Sequence, residues 1–151
     1  MARLRPPRVT NSRAKTIAPL SYEEETARRV EKSRRLALRV ATAGMDRKAL
    51  GVEIIDVTGK IDYADFLILM TGTSDRHCGA IADEVERQLS QVGEKALGVE
   101  GKGEEWVLLD YFDVVVHVFT ESARDLYDIS GLWLDASRVK VPVRELRSDV
   151  N

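Results

Sequence analysis

Apolar and polar side chains alternate along residues 104–120, which read EEWVLLDYFDVVVHVFT. Alternation with a period of two is typical of β-strands, and Val, Leu, Trp and Phe suit a pleated surface. The pattern predicts two antiparallel strands joined by a tight two-residue turn at Tyr111 and Phe112. In that register Trp106 lies opposite His117.

The two faces of this predicted hairpin differ in character. One face is wholly apolar and must belong to the core; it consists of Val107, Leu109, Val114, Val116 and Val118. The other face mixes large apolar groups with three ionisable ones; it consists of Trp106, Leu108, Asp110, Asp113, Val115, His117 and Phe119. Asp110 is expected opposite Asp113, and Leu108 opposite Val115. Either a helix of the same chain or a partner covers the mixed face, and we expect Trp106 and His117 to be at least partly exposed in the isolated domain.

A long helical pattern precedes the strands. Ser21 followed by Glu24 forms a capping box, and three consecutive acids lie in the first turn, where the helix dipole favours them. An apolar stripe with helical spacing runs on to Ala41. The pattern therefore predicts a helix over residues 21–48, with its arginine pairs on the solvated side.

The remaining periodicities complete a single α/β domain over residues 21–136. They predict strands at residues 52–57, 64–71 and 96–99, a helix of about five turns capped by Thr73 or Ser74, and a short helix over residues 121–127. The nearly continuous apolar run at 64–71 favours the centre of the sheet. This order of elements predicts a mixed sheet with flanking helices. A charged tail is expected over residues 137–151.

Composition limits the class of protein. The 151 residues are 44% hydrophobic and 32% charged, which is ordinary for a globular domain. No apolar run has the length of a membrane span and no secretory signal pattern is present, so we expect a cytoplasmic protein without a membrane partner. The single cysteine, Cys78, excludes an internal disulfide, and we expect it to pack or to lie idle at the first turn of its helix rather than to act as a nucleophile.

Charge is distributed unevenly along the chain. Residues 1–48 contain 13 Lys and Arg against 5 acids, whereas residues 49–151 contain 10 Lys and Arg against 20 acids. An acidic domain repels phosphates, so a basic protein is the better partner for it. Residues 1–20 hold five basic residues, no acid and three of the four prolines. We expect them to form a disordered arm that touches RNA phosphates, with an organelle transit segment as the alternative.

Catalytic motifs are incomplete. Gly72, Thr73 and Ser74 follow a strand and precede a helix, as in a phosphate-binding loop, but a P-loop needs more glycines and a lysine. The acid pairs at 62 and 65, and at 110 and 113, are three residues apart, which does not place two carboxylates together for magnesium along a strand. Two distant histidines and one cysteine make no metal cluster. The sequence favours a binding protein with no cofactor and no metal.

Several blocks of the chain resemble the ribosomal silencing factor (Iojap-like) family. They are residues 64–66 (ADF), 71–77 (TGTSDRH), 81–83 (IAD), 106–111 (WVLLDY), 113–119 (DVVVHVF), 124–128 (RDLYD) and 132–133 (LW). The resemblance covers about residues 50–136, and the helix before them fits the family too. The arm and the tail lie outside it.

The resemblance implies a non-enzymatic factor with a nucleotidyltransferase-like fold. Such factors bind the large ribosomal subunit through the protein numbered fourteen, block subunit joining and so repress translation. It implies a partner-binding site that comprises Trp106, Leu108, Leu109, Asp110, Tyr111, Asp113 and His117, and it allows a homodimer of the free protein. Family members usually carry glycine at the position of Phe112, where a two-residue turn needs positive φ.

Two other functions stay open at this stage. One is a nucleotidyltransferase-like enzyme with displaced carboxylates, which would have to bind a nucleoside triphosphate with magnesium. The other is an organelle factor for large-subunit assembly, in which residues 1–20 would be removed on import.

Overall fold

The computed structural model describes residues 18–142, so most of the expected arm and residues 143–151 of the expected tail lie outside it. Its elements in chain order are α1 (Tyr22–Asp46), β1 (Leu50–Asp56), β2 (Phe66–Gly72), α2 (Asp75–Gln91), β3 (Gly98–Glu100), β4 (Trp106–Asp110), β5 (Val114–Thr120), α3 (Glu121–Tyr127), α4 (Ile129–Leu132) and β6 (Ser137–Val139). The strands form one sheet in the order β3-β4-β5-β2-β1-β6. Among the described strands, β2 and β5 alone pair in parallel, which confirms the predicted mixed α/β domain.

Helix α1 begins where the capping box predicts. The Ser21 hydroxyl accepts a hydrogen bond from the Glu24 backbone N–H at 3.0 Å, and the Glu24 carboxylate accepts one from the Ser21 N–H at 2.9 Å. Gly44 allows the helix to lie close to the sheet, because a Cβ there would collide with the Met70 sulfur. The side of α1 around Ala37 and Ala41 is thereby buried against β2.

The sheet carries a hydrophobic core on each face. Helices α1 and α2 cover one face, where the predicted core residues Val114, Val116 and Val118 are fully buried. Helix α3 lies on the other face beside a smaller apolar cluster, to which Trp133 also packs. Strand β2 is buried along its whole length, as its continuous apolar run predicts for a central strand.

The register of the β4–β5 hairpin differs from the predicted one by two residues. The observed pairs are Trp106 with Phe119, Val107 with Val118, Leu108 with His117, Leu109 with Val116, and Asp110 with Val115. The predicted pairings of Trp106 with His117, Leu108 with Val115 and Asp110 with Asp113 are therefore wrong. A shift of two residues leaves the strand faces as predicted, because side chains alternate with a period of two.

The turn of this hairpin accounts for the shift. The Tyr111 N–H donates to the Val114 carbonyl at 2.8 Å, so the two turn residues are Phe112 and Asp113. Phe112 has φ 78°, a conformation that glycine adopts far more readily. A phenylalanine gives no sequence signal for positive φ, so the predicted turn lies one residue before the observed one.

The predicted tail begins as a strand rather than as unpaired chain. Residues Ser137–Val139 pair antiparallel with β1, so that Ile54 lies opposite Val139. Three residues are too few for alternation to be recognised in the sequence. The sheet therefore extends to Val139, and the expectation that the domain ends at residue 136 is wrong.

Candidate protein-interaction face

Four aromatic rings cluster at one end of the sheet, on the face opposite α1 and α2. Trp106 on β4 lies at the centre; its ring centroid is 5.7 Å from that of His117, 5.6 Å from Phe119 and 4.5 Å from Tyr127. His117 and Phe119 come from β5, and Tyr127 is the last residue of α3. We call these four residues, with the neighbouring Leu108, the aromatic face.

A hydrogen bond fixes the tryptophan at the centre of the aromatic face. The indole N–H of Trp106 donates to Nδ1 of His117 at 3.0 Å. Because an indole nitrogen can only donate, His117 is the acceptor and carries its proton on Nε2. Burial lowers the pKa of His117 to about 4, so the imidazole is neutral at physiological pH. The pair orients Trp106 without adding a charge.

The members of the aromatic face differ in exposure. Trp106 and Leu108 are partly exposed and Tyr127 is half exposed, whereas Phe119 is fully buried. The partial exposure of Trp106 agrees with the prediction. The predicted exposure of His117 is wrong, because only 8% of it reaches solvent. The three exposed side chains are therefore the ones that a docking protein can touch.

Two of the predicted site residues lie on the other side of the sheet from the aromatic face. Leu109 is fully buried and Tyr111 is 5% exposed, and both belong to the core beneath α1 and α2. Burial, with Glu86 and Glu94 adding to it, raises the pKa of Tyr111 to about 12. Neither side chain lies on the surface of the free domain, so neither belongs to the aromatic face.

The two predicted aspartates are engaged within the chain. The Asp110 carboxylate accepts a hydrogen bond from the Phe112 N–H at 2.8 Å and so holds the turn. Asp113 lies in the turn and pairs with Arg29 of α1 at 3.3 Å, on the helical side of the sheet. Its predicted place on the mixed face is therefore wrong, because turn residues do not follow the alternation of a strand.

Arg29 joins two carboxylates that the sequence gives no reason to connect. It pairs with Asp65 at 2.6 Å as well as with Asp113. Asp65 is 6% exposed; burial raises its pKa and the guanidinium opposes that rise. Spacing within one segment does not indicate this contact, since Asp65 and Asp113 come together because β2 and β5 are parallel neighbours.

Two residues of the aromatic face, Phe119 and Tyr127, are not among the predicted site residues. Phe119 is predicted on the mixed face, and its ring centroid lies 5.6 Å from that of Trp106. For Tyr127 a signal exists, because Ala123 and Tyr127 are four residues apart on α3, and such residues lie on one side of a helix. Ala123 packs into the sheet, which brings Tyr127 over the same face.

The loop that resembles a phosphate-binding turn has a structural role. Nδ1 of His77 accepts from the Thr73 N–H at 2.8 Å, and Nε2 lies 2.7 Å from the Arg47 carbonyl, to which it donates. His77 thus ties the start of α2 to the end of α1. Cys78 is fully buried, as predicted. Within residues 18–142 no group of three His, Cys, Asp or Glu side chains is placed to hold a metal ion, and none of the helices there has the length and apolar character of a membrane span.

Comparisons with known proteins match this chain to one family. Residues 30–151 match the family model described as ribosomal silencing factor during starvation, and the match includes the tail that the sequence resemblance left out. The ribosomal silencing factor of Bacillus subtilis is 38% identical over 101 residues, which cover 66% of this chain and 86% of that protein. The one from Chromobacterium violaceum is 46% identical over 89 residues, or 58% of this chain and 73% of that protein.

A solved structure agrees with the sequence relatives. A crystal structure of a protein from Chromobacterium violaceum superposes with a TM-score of 0.63 at 32% identity, covering 78% of this chain and 96% of that one. The chloroplastic protein Iojap of Zea mays is 27% identical over 110 residues, which are 70% of this chain and 46% of that protein. The bacterial relatives are named as silencing factors rather than as enzymes.

Proposed function

The chain belongs to the family of ribosomal silencing factors, and we propose that it binds the large ribosomal subunit through the ribosomal protein numbered fourteen. Bound there, at the face that meets the small subunit, it blocks subunit joining and so represses translation. The action is steric, because one occupied surface excludes a second large body, and it needs no catalytic group.

The observation that supports this proposal is the partly exposed tryptophan at the centre of the aromatic face. Tryptophan and tyrosine are the residues that most often carry binding energy at protein interfaces, particularly near the middle of the contact. Trp106 is held in place by the imidazole of His117 and flanked by Tyr127. A fixed ring loses little conformational freedom on binding, so more of its contact energy appears as affinity.

The predicted site residues take different parts in this proposal. Trp106 and Leu108 contact the partner directly, and His117 positions the indole. Leu109 and Tyr111 fill the core behind β4, so that their replacement changes stability before it changes contact. Asp110 and Asp113 stabilise the hairpin turn through their contacts within the chain.

The charge of the domain suits a basic ribosomal protein. After residue 48 the sequence carries 20 acids against 10 basic residues. Complementary charge speeds the encounter and selects the partner more than it adds affinity. As a further part of the proposal, the basic residues before position 18 contact ribosomal RNA.

Co-sedimentation with purified large subunits tests the proposal. We expect Trp106→Ala to weaken binding by about 2 kcal/mol or more, roughly thirtyfold, because a central interface anchor is lost. Tyr63→Ala is the matched control, since Tyr63 is an exposed aromatic residue that precedes β2, at the end of the sheet away from Trp106. Thermal melting must first show that both variants are folded.

Two results would contradict the proposal. Folded Trp106→Ala that sediments with the large subunit at wild-type affinity would exclude the aromatic face as the contact. Equal losses in Trp106→Ala and Tyr63→Ala would show that binding does not depend on this face in particular.

A further inference from the structure

Four cations form a straight row on the solvated side of α1. They are Arg28, Lys32, Arg35 and Arg39. Successive spacings of four, three and four residues keep them within a sector of about 60° around the helix axis. All four are exposed, and the row is about 16 Å long. We call it the cationic row.

These four charges contribute little to the stability of the fold. Within residues 18–142, the side chains of Arg28, Lys32 and Arg39 make no ion pair and no hydrogen bond, and that of Arg35 makes only a 3.6 Å pair with Glu31. Both partners of that pair are more than half exposed, so it contributes little to stability. The neighbouring Arg29 differs, because it is committed to Asp65 and Asp113.

The row borders an open groove. Lys32, Arg35 and Arg39 line a cavity of about 400 Å³ between α1, the turn at Phe112 and the segment that follows α2. The far wall carries the acids Glu94 and Asp113. Positive charge is therefore concentrated along the α1 side of the groove.

The shape of the row selects among anionic ligands. The cations follow one another at about 6, 4.5 and 6 Å along the axis, and a single small anion cannot reach both ends of 16 Å. A nucleic-acid backbone presents phosphates at short, regular intervals and gains affinity by releasing counterions to such a row. The acidic remainder of the domain repels a backbone, which confines the contact to α1.

We propose that the cationic row is a sequence-independent docking surface for an RNA phosphate backbone. The choice of RNA over DNA rests on the proposed ribosomal function. Because α1 covers the sheet face opposite to the aromatic face, one molecule can bind protein with one side and RNA with the other. The contact concerns described residues of α1 and is separate from the one proposed for the residues before position 18.

Fluorescence anisotropy with a labelled 20-base-pair RNA duplex tests the row in the full chain. The row variant is Lys32→Gln, Arg35→Gln, Arg39→Gln. The control variant, Arg76→Gln, Lys95→Gln, Lys140→Gln, removes the same charge from exposed positions off the row. We expect the row variant to reduce the slope of log affinity against log salt by about two to three, since each phosphate contact contributes about 0.9, and the control to retain it.

Both variants keep the first 17 residues, so a difference between them reports on the row. Equal slopes for row variant and wild type would overturn the proposal, as would equal reductions in row and control variants. Displacement of the duplex by ATP or by polyglutamate at matched charge concentration would also overturn it, in favour of a small anion or an acidic protein.

The proposal for the cationic row and the proposal for the aromatic face can be refuted independently of each other. Trp106→Ala is expected to retain duplex binding, because its site is on the other side of the sheet. If Trp106→Ala loses large-subunit binding while the row variant keeps the wild-type salt slope for RNA, the result supports the aromatic face as the protein contact and overturns the proposal for the cationic row.

Discussion

The buried imidazole beneath Trp106 makes the stability of this protein depend on pH in a way that one substitution removes. An exposed histidine has a pKa of about 6.5, whereas burial lowers that of His117 to about 4. The unfolded chain therefore takes up a proton first as pH falls. The contribution of this site to the free energy of unfolding is fully present above about pH 6.5 and is lost between pH 6.5 and 4.

The size of the effect follows from the two pKa values. Relative to neutral pH, proton linkage at this site lowers the free energy of unfolding by about 2 kcal/mol at pH 5 and by about 3 kcal/mol below pH 4. With 8% of its surface exposed, His117 has little solvent to screen the charge. Glutamine is the informative replacement, because its carbonyl can still accept from the Trp106 indole and it does not titrate in this range.

Urea unfolding at pH 7.5 and pH 5.0 measures the difference. Between pH 7.5 and pH 5.0 we expect the free energy of unfolding to fall by about 2 kcal/mol more in the wild-type protein than in His117→Gln. This difference does not depend on which of the two proteins is more stable at pH 7.5. All other titrating groups are common to both proteins and cancel in the comparison. Equal losses in the two proteins would refute the reasoning, since they would mean that the imidazole gains its proton in the folded state without cost.

Two further predictions concern the turn and α1. Phe112→Gly should raise the free energy of unfolding by about 1 kcal/mol, because glycine adopts the φ of 78° without strain and the lost phenyl ring is half exposed; chemical denaturation that shows a decrease would contradict this. Arg29→Ala should lower it by about 2 kcal/mol, since Asp65 would stay buried without its cation. Asp65→Asn should cost less in the same measurement, because it removes the charge as well, and the opposite order would contradict the argument.

Local signals were sufficient for much of the fold. The capping box at Ser21 places the start of α1, and α3 covers Glu121–Tyr127 as predicted, with Thr120 as its cap. The alternation in β5 gives the burial of Val116 correctly even though the register was two residues off, because a shift of two does not exchange the faces.

What the sequence did not predict depends on contacts between distant segments. The link from Arg29 to Asp65 and Asp113 exists only because α1 crosses the ends of two parallel neighbours in the sheet. The burial of His117 depends instead on the hairpin turn, because the observed register differs by two residues from the predicted one and sets the Trp106 ring diagonally over the imidazole. Strand order, which one sequence does not contain, decides the first contact, and the positive φ of Phe112 decides the second.

The parallel pairing of β2 with β5 has a consequence for how this chain folds during its own synthesis. Phe66 pairs with Val114, 48 residues later in the chain, so the β5 edge of β2 stays unpaired until most of the domain has been made, while its other edge pairs with β1. Until then one edge of β2 offers unpaired backbone groups to any other strand nearby, which is the usual start of aggregation. Closing a parallel pair across such a separation is slow compared with hairpin formation. We therefore expect the β4–β5 hairpin, whose contacts are local in sequence, to form before it pairs with β2.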